Sequence, residues 1–195
     1  KLMHKLLLQG LSWPEVRRTL ERDYLLTPDK IGLMENIVVR QRKVLPDLYE
    51  LDRSEVSLYI GIPFCPTKCA YCTFPAYAIR GRNGSVKEFL AGLHEEIAAV
   101  GGWLAKHGLL VTTVYFGGGT PTSITAKQLD GLLQQIHASL PEPDRVREWT
   151  VEAGRPDTID EEKLDVLKKW KVDRISINPQ SFREETLKAI GRHHT

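Results

Sequence analysis

The residues best suited to chemistry in this sequence are its three cysteines, which all lie in Cys65-Pro66-Thr67-Lys68-Cys69-Ala70-Tyr71-Cys72, the cysteine loop. Three thiolates on one loop can bind three corners of a four-iron, four-sulfur cluster and leave the fourth iron without a protein ligand. A small molecule can chelate an iron that is left open in this way. The cysteine loop therefore suggests a cluster with an open iron, which the remaining sequence must support.

Two other uses of the cysteines remain open at this point. A structural zinc site needs four ligands, so a histidine would have to join the three cysteines. The candidate histidines are His94, His107 and His137. A redox-active pair formed by Cys69 and Cys72 would leave Cys65 without a role. The odd number of cysteines argues against a disulfide framework and for a reducing compartment, so we expect a cytoplasmic protein.

Other residues with chemical potential are spread through the second half of the chain. Gly117-Gly118-Gly119-Thr120-Pro121, the glycine turn, removes side chains where a predicted strand ends, and it lacks the Gly-Lys-Ser/Thr ending of a P-loop. Glu152 either pairs with Arg155 or binds a ligand, because an unpaired buried carboxylate is costly. Gln180 offers both donors and an acceptor. Arg192 either complements the dipole of the last helix or binds a ligand carboxylate.

The first part of the chain, residues 1–52, is predicted to be a helical N-terminal segment. Ser12-Trp13-Pro14-Glu15 has the spacing of a capping box, and Thr27-Pro28 begins a second helix that Pro46 ends. No catalytic group of residues stands out in this segment. We therefore expect a helical lead-in or the end of a preceding domain rather than a partner-binding module.

From residue 53 onward the pattern changes to strand, loop and helix, repeated four times. The predicted strands cover residues 56–62, 110–116, 148–153 and 174–178. The first, second and fourth of the helices that follow them are predicted to be capped by Ser85, Thr125 and Ser181, and the third is predicted to run from Asp160. Four such units require a parallel sheet with right-handed crossovers, so residues 53–195 are predicted to form an α/β fold, a partial (β/α) barrel. Because the sequence starts without methionine and stops after a helical pattern, we expect a piece of a longer protein with a truncated barrel.

The chemical residues follow the predicted strands in order. The cysteine loop, the glycine turn, Glu152 and Gln180 come after the first, second, third and fourth strand, respectively. In parallel α/β folds the chemistry lies at the C-terminal ends of the strands. The sequence therefore predicts that all four features form one site.

The cysteine loop and the glycine turn together resemble the motifs of a known family. Cys65-x3-Cys69-x2-Cys72 is the signature of the radical S-adenosylmethionine (SAM) superfamily, and the glycine turn resembles its methionine-binding glycine motif. More narrowly, residues 59–65 (YIGIPFC) and 115–122 (YFGGGTPT) look like the oxygen-independent coproporphyrinogen III oxidases, or coproporphyrinogen dehydrogenases. Residues 72–77 and 152–157 resemble an oxidase-like branch of that family. The resemblance covers residues 54–195.

The resemblance implies a role for each matching residue. The residues that would bind a [4Fe-4S] cluster are Cys65, Cys69 and Cys72. The positions that contact the cluster-bound SAM are matched by Tyr59, Gly118 and Glu152. The positions around a second SAM are matched by Tyr71, Gly119, Thr120, Gln180 and Arg192. The best-known members, for which a second SAM is described, have histidine where this chain has Gly61 and a further cysteine where it has Thr73 and Phe74. The resemblance therefore leaves open whether a second SAM binds here.

The resemblance also implies an activity and partners. One-electron cleavage of SAM would give a 5′-deoxyadenosyl radical that takes hydrogen from a propionate of coproporphyrinogen III. Loss of carbon dioxide then yields protoporphyrinogen IX in haem biosynthesis. The implied partners are a porphyrinogen substrate and a reduced flavodoxin or ferredoxin-type electron donor, and we expect a monomer. A haem-delivery protein or a radical SAM enzyme with another substrate remain alternatives, because the scaffold does not define the substrate pocket.

Composition argues against two classes of partner. A net charge of +2 with interspersed acidic and basic residues gives no electrostatic case for nucleic acid or a membrane surface. No apolar run approaches the roughly 18 residues of a membrane span. We therefore expect neither nucleic acid nor membrane as a partner.

Overall fold

The computed structural model describes residues 1–47, 54–79 and 85–194. The chain divides into two compact units, Lys1–Arg53 and Ser54–Thr195. Within the described residues, none of the helices combines the length and the apolar character needed to cross a membrane.

The first unit is helical, as predicted. Its helices are α1 (Leu2–Leu8), α2 (Trp13–Tyr24) and α3 (Pro28–Val44). The capping box forms at the start of α2, where the Glu15 carboxylate accepts hydrogen bonds from the Ser12 backbone N–H at 2.8 Å and from its hydroxyl at 2.6 Å. A small apolar core joins the three helices; its buried members are Met3, Leu6, Val16, Leu20, Ile31 and Val38.

The second unit contains four strand–helix repeats. The strands are β1 (Glu55–Ile62), β2 (Phe64–Cys65), β3 (Tyr77–Ala78), β4 (Leu110–Gly118), β5 (Glu148–Glu152) and β6 (Arg174–Ser176). The helices are α4 (Val86–Lys106), α5 (Ala126–Ser139), α6 (Glu161–Lys169) and α7 (Glu184–Ala189). Strands β1, β4, β5 and β6 form a parallel sheet in that order. The predicted α/β fold with a partial (β/α) barrel is confirmed.

The two faces of this sheet differ because side chains alternate along each strand. One face is apolar and packs against the helices; Ile60, Phe116 and Val151 are neighbours on it and all are buried. The opposite face is polar and carries Tyr59 and Tyr115, whose rings stack with centroids 5.9 Å apart. Helices on one face and polar groups on the other are the arrangement of a barrel wall.

Two parts of the unit differ from the sequence prediction. The short parallel pair β2–β3 was not predicted, and it brings the chain back beside the start of the cysteine loop. Ser181 is not the N-cap of α7, which begins at Glu184 with Arg183 as its N-cap. The reason is a turn in which Gln180 takes a left-handed φ of 68° and the Ser181 hydroxyl accepts from the Arg183 N–H at 3.1 Å.

Candidate cofactor site

The cysteine loop begins where β1 ends and is held at both of its ends. At its start, Ile79 N–H donates to the Cys65 carbonyl at 2.8 Å across the β2–β3 pair. At its far side, Ala70 N–H donates to the Ile190 carbonyl at 3.0 Å, and the Thr67 hydroxyl donates to the Gly191 carbonyl at 2.8 Å. Contacts from distant parts of the sequence therefore fix the loop, and its three cysteines are free thiols.

The glycine turn packs directly against the cysteine loop. Its Gly119 and Thr120 N–H groups donate to the carbonyls of Ile62 and Phe64, both at 2.8 Å. A Cβ at residue 119 would lie 2.7 Å from the Phe64 oxygen and 3.0 Å from the Cys65 Sγ. Gly118 has a φ of 110°, which also favours glycine. The close approach of Phe64 and Cys65 to Gly119, and the positive φ of Gly118, therefore require glycine at both positions before any ligand is considered.

One cavity of about 240 Å³ lies at the C-terminal ends of the strands and brings most of the predicted residues together. The predicted residues that line it are Cys65, Cys69, Cys72, Tyr71, Gly118, Gly119, Thr120, Glu152, Gln180 and Arg192. Tyr59 and Gly117 do not line it. Tyr59 lies on the polar face of β1, and a Cβ on Gly117 would come within 2.8 Å of its hydroxyl.

Glu152 is held by a tyrosine rather than by an arginine. The Tyr115 hydroxyl donates to Glu152 Oε1 at 2.7 Å, and this hydrogen bond raises the pKa of Tyr115 to about 12, because ionisation would destroy it. The possible pair between Glu152 and Arg155 does not form, since Arg155 binds Asp157 instead. Tyr115 is the one hydrogen-bond partner of the Glu152 side chain among the described residues, so Oε2 can accept from a ligand.

Arg155 also lines the cavity, and sequence reasoning missed its role. It is 1% exposed, and its five N–H groups match five acceptor contacts. Two go to the Asp157 carboxylate at 3.3 and 3.4 Å. The other three reach the cysteine loop: the Thr67 carbonyl and hydroxyl, both at 3.2 Å, and the Cys69 Sγ at 3.6 Å. A signal was available, since the arginine directly follows a strand end that carries other site residues.

Arg192 is the second buried arginine of the cavity, with an exposure of 4%. Its terminal nitrogens donate to the carbonyls of Gly154, at 2.8 Å, and Asn178. It thus joins the segments that follow β5 and β6, and among the described residues its side chain bonds no carbonyl of α7. Its Nε is buried and has no hydrogen-bond partner among the described residues. A buried unpaired donor beside a cavity fits an anionic ligand atom.

The electrostatics of the thiols follow from burial and from these cations. Burial raises the pKa of the Cys65 thiol, whereas the Thr120 hydroxyl, 3.3 Å from its Sγ, and the charge of Arg155 act in the opposite direction. Burial and then the neighbouring Cys69 raise the pKa of Tyr71. A metal cluster bound through three thiolates would carry net negative charge, which the two buried guanidinium groups beside the thiols would offset.

Among the described residues, none of the three histidines considered as a fourth zinc ligand lies at the thiols. His137 stacks on Trp149 with centroids 6.0 Å apart, and His107 Nδ1 lies 2.8 Å from the Trp103 carbonyl. Neither they nor His94 line the cavity. In the part of the chain that the structure describes, no three His, Cys, Asp or Glu side chains are placed to hold a single metal ion. The donor set and the cavity instead fit a larger group bound by three thiolates.

Fold and site together define a (β/α) protein with a three-thiol cofactor site at the C-terminal ends of its parallel strands. The model of the radical SAM superfamily matches residues 59–195. The chain therefore belongs to the radical SAM superfamily.

Particular relatives narrow this placement. The chain is 60% identical over 195 residues to the oxygen-independent coproporphyrinogen-III oxidase-like protein HemZ of Bacillus subtilis, covering 100% of this chain and 39% of HemZ. It is 40% identical over 139 residues to the heme chaperone HemW of the same organism, covering 71% and 35% of the two chains. The solved structure of coproporphyrinogen III oxidase (HemN) from Escherichia coli, a radical SAM enzyme, matches with a TM-score of 0.64 and 26% identity, over 74% of this chain and 32% of that one. The chain thus spans about two fifths of the length of HemZ, and less of the others.

Proposed function

We propose that this chain is the cofactor-binding part of a cytoplasmic radical SAM enzyme that converts coproporphyrinogen III to protoporphyrinogen IX. The observation that carries the proposal is the single cavity in which three thiols, the glycine turn, a carboxylate, an amide and a buried arginine meet. The similarity to HemZ over the whole chain and to HemN over 74% of it supports the substrate class.

The cofactors of this proposal are a [4Fe-4S] cluster and SAM. Cys65, Cys69 and Cys72 would bind the cluster. Bound together, the cluster and SAM supply a 5′-deoxyadenosyl radical through one-electron cleavage of a sulfur–carbon bond. A reduced flavodoxin or ferredoxin-type protein would supply the electron, and the enzyme would act as a monomer.

The contribution of the chain's own residues is to orient the SAM molecule and to exclude water. Glu152 has one carboxylate oxygen bonded to Tyr115 and offers the other to an ammonium group. The unpaired Nε of Arg192 is a donor for a carboxylate. Gln180 lines the same cavity and supplies an amide that both donates and accepts. Because Glu152, Gln180 and Arg192 share one cavity, we assign all three to one SAM, although the resemblance places the counterparts of Gln180 and Arg192 around a second SAM.

The decisive experiment is an anaerobic assay of the intact protein with a chemical reductant, SAM and coproporphyrinogen III. We expect 5′-deoxyadenosine and protoporphyrinogen IX, both of which chromatography measures. Cleavage of SAM without any change in the porphyrinogen would overturn the proposed substrate and favour a different one on the same scaffold.

A second candidate function is haem delivery. The similarity to the heme chaperone HemW, 40% over 139 residues, favours it. Tight haem binding by the intact protein, together with no turnover of coproporphyrinogen III, would support this function and contradict the first.

A further inference from the structure

We infer that Arg155 is a positioning residue for the cofactor site: it holds the cysteine loop in place and hydrogen-bonds the sulfur of its middle cysteine, Cys69. This inference rests on the proposed function in so far as it concerns a bound cluster. The part of the inference that concerns the ordering of the cysteine loop applies to the protein without any cofactor.

Arg155 is almost completely buried. A guanidinium that is 1% exposed has lost its hydration, which is tolerated only when its charge and its donors find partners. Asp157 compensates the charge, but this carboxylate is only two residues away in sequence and its side chain is 25% exposed. An ion pair with Asp157 would form equally well at the surface, so the pair alone does not explain why Arg155 is buried.

Arg155 makes three contacts to the cysteine loop. Thr67 and Cys69 lie 88 and 86 residues away in sequence, and Arg155 reaches a backbone carbonyl, a hydroxyl and a sulfur there. The planar fork of arginine bonds several acceptors at once, which lysine cannot do from one point charge. The same Thr67 hydroxyl donates to the Gly191 carbonyl, so the loop is fixed between Arg155 and the end of the fourth repeat.

The contact of Arg155 with the Cys69 sulfur would influence the reduction potential of a bound cluster. Hydrogen bonds to the sulfur ligands and nearby charge are among the factors that set the reduction potential of an iron–sulfur cluster. A positive donor stabilises the more negative, reduced state and therefore raises the potential. Removing Arg155 is expected to lower it, and neutralising Asp157, which offsets the charge of Arg155, is expected to raise it.

The experiment compares four variants of the intact protein after anaerobic reconstitution. In Arg155→Gln we expect the affinity for iron, measured by competition with a chelator, to be about 10- to 100-fold weaker than in the wild type, the usual effect of losing an outer hydrogen-bond partner. A redox titration followed by electron paramagnetic resonance should give a more negative midpoint potential for Arg155→Gln and a less negative one for Asp157→Asn. Arg155→Lys should restore the potential in part but not the iron affinity, because it keeps the charge and loses the fork.

Arg145→Gln is the matched control, since this arginine precedes β5 and lies at the other end of the strand from the cavity. It should leave both measurements unchanged. Wild-type iron affinity and potential in Arg155→Gln would overturn the inference. If Arg155→Gln does not fold, the potentials of Arg155→Lys and Asp157→Asn decide: shifts of opposite sign support the inference, and wild-type values overturn it.

Hydrogen exchange of the protein without cofactor separates this inference from the proposed function. Failure of the wild type to take up any cluster would contradict the proposed function but not the positioning role of Arg155. Faster exchange of residues 66–72 in the folded Arg155→Lys variant would still support the positioning role, and unchanged exchange would refute it.

Discussion

Two buried arginines border the same cavity, and they differ in how completely the protein bonds them. Arg155, beyond the end of β5, matches each of its donors to an acceptor in the cysteine loop or in the neighbouring carboxylate. Arg192, beyond α7, joins two backbone carbonyls with its terminal nitrogens and leaves its Nε buried and unpaired among the described residues.

We propose that this difference separates an arginine that holds the scaffold from one that binds a ligand. A buried donor without a partner costs about 1–3 kcal/mol, so a fold leaves one where a ligand will fill it. A guanidinium that is saturated by the chain itself has no such donor to offer. We therefore expect that changing Arg155 alters the protein without cofactors, whereas changing Arg192 mainly alters ligand binding.

The largest effect on stability should come from Arg155→Gln. It leaves Asp157 without its cation and several acceptors of the cysteine loop unbonded, and we expect the free energy of unfolding to fall by about 3 kcal/mol. Urea denaturation of the cofactor-free protein measures this. A loss as small as the ±0.5 kcal/mol or so that is typical of surface substitutions would show that Arg155 does not hold the loop.

Arg192→Gln should weaken ligand binding more than it lowers the stability of the cofactor-free protein. Losing a charged hydrogen bond worth about 1.5–3 kcal/mol should weaken SAM binding by about 10- to 100-fold, while the cofactor-free protein loses less stability than it does in Arg155→Gln. Calorimetric titration of the reconstituted protein with SAM measures the first quantity. Unchanged SAM affinity would mean that the unpaired Nε does not meet the ligand.

Gly119→Ala tests whether displacing the cysteine loop is by itself enough to lower both the stability and the iron uptake of the protein. The new Cβ would collide with the Phe64 carbonyl, so the loop must shift, and we expect a loss of about 1–3 kcal/mol together with reduced iron uptake. Neither arginine is touched, so the variant should resemble Arg155→Gln and not Arg192→Gln. Gly102→Ala, in α4 with open space around it, is the control and should be neutral or slightly stabilising.

Tyr115→Phe should have the smallest effect, because it removes one hydrogen bond to Glu152 worth about 1 kcal/mol. The folded pKa of Tyr115 lies above its ordinary value of 10.0, at about 12, so the contribution is present below pH 10 and is lost as the pH rises through about 12. Tyrosinate absorbance should therefore show a group titrating near 12 in the wild type. Finding the same group in Tyr115→Phe would assign it to another tyrosine.

The fold, the cysteine loop and the glycine turn could be predicted from the sequence for physical reasons. Strand and helix periodicity is local, and the cysteine loop and the glycine turn each lie within a few consecutive residues, so their patterns are visible in one dimension. The order of the strands followed because short βα connections leave few topologies. The start of α7 was missed because the left-handed Gln180 moved the turn, and nothing in the residue type demands that conformation.

The rest of the site could not be found in this way because it depends on distant contacts. The acceptors of Arg155 in the cysteine loop are more than 80 residues away, and no local pattern indicates them. The glycine turn was predicted for its approach to a ligand, but packing against the cysteine loop requires the glycines as well. Both features become visible only when β1, β4 and β5 lie side by side.

The central claim is that Cys65, Cys69 and Cys72 bind an iron–sulfur cluster with one open iron. Its most direct test is iron and sulfide analysis of the anaerobically reconstituted protein, with paramagnetic resonance spectra of the reduced cluster recorded with and without SAM. We predict about four irons and four sulfides per chain, and a spectrum that changes when SAM is added. Stoichiometric zinc without sulfide, or a cluster whose spectrum ignores SAM, would contradict the claim.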